Sequence, residues 1–364
     1  MRILVINNYS MRTSMQWVEA QLLPRHHVWG IDALSRFNNK IRYLSYNCPH
    51  LLNKLHLSRF YYYWFQFISL IASINCRCIY AAASPLIDLL AFCKYKGWIK
   101  KDLFMIVHHP GNFSLKNKDY TRLIFITRIA YIQACSDYPR LKQKFVYDEW
   151  GPDIEFYDKI TKDVRMHNTP LDHHTVSFVS NGKANRDHET LVKAARGLNA
   201  KVSVICTKKS SPSNYNPSID TNITVLAQDA ETIMSGKILS YPDMIKILEG
   251  YDVIIIPIPA HYKALCGLTS FNDAIALGKP IIISDTANLG IDVEKEGFGF
   301  IYKGGDNMDL REKMFRFIDC PDLIQTMGLK ARQYAEKNDN RAFSQKILSL
   351  IEHEDCNTDL SPQQ

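Results

Sequence analysis

The stretch that decides the fold is Gly267-Leu268-Thr269-Ser270-Phe271-Asn272-Asp273-Ala274-Ile275-Ala276-Leu277-Gly278-Lys279-Pro280, followed at once by Ile281-Ile282-Ile283-Ser284-Asp285. It reads as a glycine turn, a short helix and a buried strand. Gly267 lets the backbone pass close to a ligand, and Thr269 and Ser270 are good N-cap residue types for the helix that follows. A helix start leaves N–H groups unpaired and a partial positive charge aimed outward, which suits a phosphate. Asp273 comes one turn further in, near the helix mouth, where a carboxylate can accept hydrogen bonds from vicinal hydroxyls. Phosphate at the tip and a diol beside it describe a nucleotide. The same Ser270-x-x-Asp273 is also a capping box, which needs no ligand. The apolar strand Val253-Ile254-Ile255-Ile256-Pro257 just upstream tips the balance, because ligands of open α/β sheets sit beyond the carboxyl ends of the strands.

Working outward, strand-like runs alternate with helical ones in two series. The first contains Ile3–Ile6, Cys78–Ala82, Leu103–Val107 and Ile132–Ala134, with helical periodicity at Met15–Leu23 and Leu86–Tyr95. The second contains Val176–Val179, Val202–Cys206, Ile223–Leu226, Val253–Ile256 and Ile281–Ile283, with helical patterns at Thr190–Leu198, Asp243–Leu248 and Asn272–Leu277. Alternation of this kind implies parallel sheets, hence an α/β chain of two Rossmann-like domains. A length of 364 residues fits two domains of ordinary size. The polar stretch Asp158–His174 reads as the linker, and Lys208–Thr221 as a surface loop. The expected boundaries are 1–157, a linker at 158–174, 175–340, and a C-terminal helix and polar tail at 341–364.

Composition excludes several classes. Apolar residues make up 46% and charged residues 22%, as in soluble globular proteins. Nine cysteines without paired spacing argue against a disulfide framework and for a reducing compartment. Cys76-x-Cys78 has no second His/Cys pair to complete a zinc site. Met1–Asn8 runs straight into a strand pattern, so no secretory leader is expected. The longest apolar stretch, Phe60–Ile74, is interrupted by Gln66 and two serines and falls short of the about 20 residues a spanning helix needs. A cytoplasmic protein is expected.

Charge is confined to one half. Residues 1–150 carry 20 Lys+Arg against 8 Asp+Glu, a net +12, whereas residues 151–364 carry 24 against 29, a net −5. An anionic partner for the first half follows. No nucleic-acid recognition motif accompanies the charge. A membrane surface fits better, since Arg59-Phe60-Tyr61-Tyr62-Tyr63-Trp64-Phe65-Gln66-Phe67 sets interfacial aromatics beside a cation. The competing reading of this run is a core helix.

The second series opens with Ser180-Asn181-Gly182-Lys183-Ala184-Asn185-Arg186-Asp187-His188-Glu189-Thr190-Leu191. A strand leads into a glycine turn, two cations three residues apart, and a helix. Lys183 and Arg186 add full charges to a helix dipole, a combination that can hold a diphosphate. No Walker-type motif is present, and no G-x-G-x-x-G follows the first strand, which counts against an NTPase and a dehydrogenase.

The order of these motifs resembles the C-terminal domain of GT-B glycosyltransferases, and most nearly the large retaining family four that builds bacterial surface polysaccharides. By that resemblance Gly182, Lys183 and Arg186 stand where the family's basic pair meets the donor diphosphate. Asp273-Ala274-Ile275-Ala276-Leu277-Gly278-Lys279-Pro280 matches its Glu-Ala-x-x-x-Gly-x-Pro segment, and Asp273 its ribose-binding glutamate. Gly267, Leu268, Thr269 and Ser270 complete the expected donor site. Gly290–Glu294, Gly299–Ile301 and Gly305-Asp306 follow the usual end of the nucleotide domain. Trp150-Gly151-Pro152-Asp153…Phe156-Tyr157 resembles the hinge-side motif. Val107-His108-His109-Pro110-Gly111 matches the strand-end histidine that faces the donor sugar. The resemblance is carried mainly by residues 145–306.

Two departures stand out. Leu265 occupies the place of a second family glutamate, which leaves the sugar and the retaining outcome open. The first-strand loop Asn7-Asn8-Tyr9-Ser10 lacks the usual glycine pair, although Asn8, Tyr9 and Ser10 can line the acceptor side. The expectation is a GT-B enzyme, two Rossmann-like domains facing across a cleft, with a UDP-sugar donor and a lipid-linked or growing-glycan acceptor. His109, or its neighbour His108, would act on the sugar. No metal or other cofactor is expected, because Lys183, Arg186 and the helix amides supply the positive field. Asp292-x-Glu294 reads as a helix start or loop, and His26-His27 and His173-His174 as solvated or structural. The alternatives are a non-catalytic nucleotide-sugar-binding protein and a GT-B-fold sugar-nucleotide epimerase.

Overall fold

The computed structural model of the chain describes residues 2–36, 40–49, 51, 54, 56–83, 86–108, 115–167, 175–228 and 239–358. The chain divides into two units, the first made of 1–21, 25–150 and 340–364, the second of 22–24 and 151–339.

The first unit runs β1 (Arg2–Asn7), α1 (Met11–Glu19), α2 (Ile31–Arg36), β2 (Lys40–Ser45), α3 (Ser58–Ala72), β3 (Cys78–Ala81), α4 (Asp88–Tyr95), β4 (Asp102–Val107), β5 (Arg122–Phe125), α5 (Arg128–Asp137) and β6 (Phe145–Tyr147). Its six strands are all parallel in the order β2-β1-β3-β4-β5-β6. Strands such as Asp102-Leu-Phe-Met-Ile-Val107 are buried on both faces, as parallel sheets covered by helices require.

The second unit runs α6 (Ile154–His167), β7 (Ser177–Asn181), α7 (His188–Ala195), β8 (Lys201–Thr207), β9 (Ile223–Gln228), α8 (Tyr241–Glu249), β10 (Val253–Ile256), α9 (Leu268–Leu277), β11 (Ile281–Ser284), β12 (Gly299–Tyr302), α10 (Asn307–Asp319) and α11 (Asp322–Lys337). The sheet order is β12-β11-β10-β7-β8-β9, again all parallel. The chain winds outward from β7 through β8 and β9, then returns to lay β10 on the other side of β7. That reversal makes the β7/β10 boundary the topological switch point, where open α/β sheets bind ligands. The first sheet has the same reversal between β1 and β3.

Some elements differ from their sequence reading. Ile132–Ala134 is not a strand but lies in α5, and the fifth strand is Arg122–Phe125. The stretch 158–167, read as linker, continues α6, whose inward face begins upstream with Ile154 and Tyr157 and continues to Thr161. Residues 168–174, with His173-His174, lie outside the described residues. The C-terminal helix expected from 341 is α12 (Asn340–Thr358), and residues 359–364 lie outside the described ones. The helix rejoins the first unit, burying Phe343, Ile347 and Ile351 at successive turns. Ile347 packs where a side chain on Gly30 would stand, 3.3 Å from the position of a Cβ.

Candidate functional site

The carboxyl ends of β7 and β10 bring together the two motifs singled out in the sequence, Gly182–Asp187 and Gly267–Asp273. After Asn181 the chain turns through Gly182–Asp187 into α7, whose first turn is capped by Asp187, accepting from Thr190 N at 3.0 Å. The Asp187 amide donates to Pro257 O at 2.7 Å, which ties the loop to the end of β10. Arg186 folds back over Gly182, where a Cβ would lie 2.6 Å from its Nε. Its guanidinium donates to Ser270 Oγ at 3.0 Å and Cys266 Sγ at 3.2 Å, and to the carbonyls of Asn181, Ala184 and Asn185 at 3.3–3.4 Å. Ser270 Oγ donates in turn to Asn181 O at 2.9 Å. One guanidinium therefore bridges the Gly-Lys-x-x-Arg loop and the start of α9. Lys183 stands on the same loop, its carbonyl held by Thr207 Oγ1 at 3.0 Å and its ammonium lowered by desolvation.

The start of α9 is built differently from the sequence reading. The N-cap is Gly267, in the left-handed region at φ 91°, and a Cβ there would meet Ile256 Cγ2 at 2.7 Å. Only glycine satisfies both demands. Thr269 and Ser270 are first-turn residues of the helix rather than its caps, and Ser270 spends its hydroxyl on Asn181. The first-turn amides of Leu268, Thr269 and Ser270 lack helical partners by geometry, the arrangement that receives anions. Leu265 packs against the apolar core beneath.

Asp273 does not lie at the helix mouth. It sits in the second turn, 2% exposed, and its oxygens are taken by protein donors. Oδ1 accepts from Tyr157 Oη at 2.6 Å and Tyr241 Oη at 2.7 Å, and Oδ2 from Asn181 Nδ2 at 3.0 Å. Burial pushes its carboxyl above the usual range, against the pull of those three bonds and of Arg186. It forms no capping box either. Asp273 instead fastens Asn181, the residue at the end of β7, to two tyrosines from other helices. Sequence reasoning missed Tyr157, Tyr241, Asn181 and Cys266. Tyr157 closes the Trp150–Tyr157 motif and Cys266 precedes Gly267, but nothing local marks Tyr241.

In the first unit the loop after β1 is occupied by structural bonds. Ser10 caps α1, accepting from Thr13 N at 3.3 Å. Tyr9 donates to His27 O at 2.6 Å and accepts from Trp29 Nε1 at 2.7 Å. Asn8 is exposed. His108, at the end of β4, bonds through Nε2 to Ala82 O at 2.8 Å and meets the Trp29 ring edge-on at 4.6 Å. Its role there is to join the ends of β3 and β4. His109, with Pro110 and Gly111, lies outside the described residues. His26 is buried beside Trp150, which donates Nε1 to His26 O at 2.8 Å, and burial with the adjacent His27 holds its imidazole well below the usual range. That pair is structural.

Asp292 and Glu294 serve a turn: Asp292 Oδ1 accepts from the amides of Glu294 and Lys295, and Glu294 Oε1 from Ile301 N. Among the described residues no group of three or more His, Cys, Asp or Glu is placed to hold a metal ion, and the described cysteines are free thiols. No helix among them is long and apolar enough to cross a membrane.

No family model matches the sequence, and no curated protein does. Solved structures match along nearly the whole length. A glycosyltransferase from Rickettsia africae superposes with a TM-score of 0.64 at 14% identity, covering 96% of this chain and 97% of that one. Anabaena HepE in complex with UDP gives 0.62 at 13%, covering 97% and 100%. Sucrose-phosphate synthase from Thermosynechococcus elongatus gives 0.65 at 12%, covering 98% and 100%. The fold is that of the GT-B glycosyltransferases, two Rossmann-like sheets in one chain.

Proposed function

We propose that the chain is a metal-independent glycosyltransferase resembling family four, which moves a sugar from a UDP-sugar to a lipid-linked or growing surface glycan. The observation that carries the reading is Arg186 bridging the Gly182–Asp187 loop and the start of α9 at the switch point of the second sheet. In this reading the diphosphate lies against Lys183, Arg186 and the first-turn amides of Leu268, Thr269 and Ser270. These preorganised charges and dipoles stabilise the leaving group. Gly182 and Gly267 allow the backbone to approach it. Asp273 acts one step back, as a positioning group that holds Asn181 at the strand end. HepE bound to UDP and to UDP-glucose supports the choice of donor.

In the first unit His109 polarises a sugar hydroxyl or accepts a proton, His108 buttresses it, and Asn8, Tyr9 and Ser10 lie on the acceptor side. The enzyme works in the cytoplasm at the inner face of the membrane. Calorimetry with UDP tests the reading. Lys183→Ala and Arg186→Ala should each weaken binding by roughly 10- to 100-fold, the loss of one charge-assisted contact. Unchanged affinity in both overturns it.

One observation favours a second reading, a nucleotide-sugar-binding protein without turnover. Leu265 supplies no carboxylate and Asp273 is sequestered by three donors. Release of UDP from UDP-sugars, followed with and without EDTA, separates the two. Turnover that survives chelation and falls ~10²-fold in His109→Ala supports the enzyme. Binding without any turnover supports the alternative.

A further inference from the structure

Helix α3 presents its apolar residues in the wrong direction for a core helix. Phe60, Tyr63, Trp64, Phe67, Ile71 and Ile74 are exposed, by 68% at Phe60, 51% at Trp64 and 66% at Ile74. At ~100° per residue the five helical positions from Phe60 to Ile71 fall within an arc of about 100°, a single continuous stripe, and Ile74 follows in the turn past the helix end. The opposite face buries Phe65 together with Gln66 and Ser69. Two bonds set the roll of the helix. Gln66 Oε1 accepts from Leu89 N at 3.1 Å, and Tyr62 Oη donates to Asp88 Oδ2 at 3.3 Å. The stripe is thereby locked outward.

The end of this helix runs into a basic cavity. Arg42 donates to Ala72 O at 3.2 Å, and Lys101 Nζ to the carbonyls of Ser73, Ile74 and Cys76 at 2.6–2.9 Å. Just beyond lies a cavity of about 240 Å³ lined by Arg2, Lys40, Ile41, Arg42, Asn75 and Cys76. Arg2, Lys40 and Arg42 are exposed there. From residue 33 to 87 the sequence holds six Lys and Arg and no Asp or Glu. An apolar, aromatic-rich stripe that ends in unopposed cations is complementary to one kind of surface, acyl chains beneath anionic headgroups. A protein partner would need no such charge bias, and a second copy of this face would bring cation against cation.

We propose that α3 lies in the interface of an anionic phospholipid bilayer, with Phe60, Trp64, Phe67 and Ile71 among the acyl chains and a headgroup phosphate in the Arg2–Lys40–Arg42 cavity. The inference deepens the proposed function by naming the face through which the enzyme reaches a lipid-linked acceptor. It rests on that reading only for its purpose, because all its residues lie in the first unit and none is in the proposed donor site.

The test is flotation of the full chain with phosphatidylcholine vesicles, with and without phosphatidylglycerol. Wild type should float with the anionic vesicles only, and detach at 1 M salt, where the screening length falls to about 3 Å. Trp64→Ser with Phe67→Ser should lower partition by roughly 10-fold or more through lost apolar burial. Arg2→Gln with Lys40→Gln should lower it by roughly 10- to 30-fold, from about fivefold per cation near an anionic surface. Wild-type circular dichroism and thermal unfolding of both double variants show that they fold, and wild-type UDP affinity that the donor site is untouched. If the chain binds vesicles but not UDP, the donor reading fails and this one stands. Equal flotation on neutral and anionic vesicles overturns the proposal, as do double variants that partition like wild type. So does a concentration-dependent dimer that Trp64→Ser abolishes in a chain that ignores vesicles.

Discussion

Replacing Asp273 by alanine distinguishes a carboxylate that holds the protein together from one that holds a ligand. Three donors converge on it: Tyr157 at 2.6 Å, Tyr241 at 2.7 Å and Asn181 at 3.0 Å. A hydrogen bond to a charged group contributes about 1.5–3 kcal/mol, so the three bonds sum to more than the variant will lose. Burial has already pushed the carboxyl upward, and removing it returns that desolvation cost. Two hydroxyls and an amide lose that acceptor at about 1–3 kcal/mol each, and with the desolvation returned the net loss should be roughly 3–5 kcal/mol. For a unit of this size that corresponds to a fall in melting temperature of roughly 6–20 °C. Asp273→Asn keeps the shape and one acceptor oxygen, so it should lose about half as much. Calorimetric unfolding of the three proteins, with UDP titrations below their transitions, measures both quantities. UDP affinity should fall modestly, through a loosened Asn181. An alanine variant that melts within about 2 °C of wild type but no longer binds UDP would refute the argument. The carboxylate would then be spending its hydrogen bonds on the nucleoside.

Gly182→Ala introduces no backbone strain at a positive φ, but its Cβ would stand 2.6 Å from Arg186 Nε and must displace the guanidinium. UDP affinity should drop about 10-fold with melting little changed, and calorimetry showing wild-type affinity would mean that the observed pose of Arg186 is irrelevant to binding. Cys266 Sγ lies 3.2 Å from the same guanidinium, so saturating UDP should slow its alkylation by iodoacetamide while leaving exposed Cys320 unaffected, as read by peptide mapping. His188 is buried with Nδ1 on Ser210 O, and burial lowers its pKa to about 4. The unfolded chain, with a histidine near ~6.5, takes up more protons between those values, so stability declines as pH falls from about 6.5 to about 4, by up to ~3 kcal/mol. His188→Gln should flatten that slope in urea denaturation curves, and an unchanged slope would assign the acid sensitivity elsewhere.

Features set by local sequence are legible in it, and those that depend on distant partners are not. The isoleucine runs of β10 and β11 announce strands buried on both faces, and Gly267 announces a turn that no other residue can make. Strand β2, Lys40-Ile-Arg-Tyr-Leu-Ser45, sits at the edge of its sheet and needs no apolar run, so it left no such signal. The loop at Gly182 is legible as a glycine turn between a strand and a helix, but its closure by Arg186 onto Ser270 spans 84 positions in the chain. Asp273 is sharper still. Its neighbours in sequence spell a capping box, while its fate is decided by Tyr157, 116 positions away, and by Tyr241.

Helix α3 shows why the aromatic run admitted two readings at once. With aromatic residues at nearly every position from Phe60 to Phe67, the sequence has too little contrast for periodicity to choose a face. The ordinary rule would turn Gln66 and Ser69 to solvent and the rings inward. The protein instead buries both beside Phe65, because Gln66 accepts from the Leu89 amide, a bond that only the tertiary structure provides, and Ser69 donates to Phe65 O at 2.8 Å within the helix. Once those polar groups are satisfied inside, burying them costs little, and the rings at Phe60, Tyr63, Trp64 and Phe67 are left outward on a helix whose far end meets Arg42. The helix thus buries Gln66 and Ser69 with Phe65 and exposes Phe60, Tyr63, Trp64, Phe67 and Ile71. Under the proposed bilayer contact, anionic headgroups would answer the +12 carried by the first 150 residues.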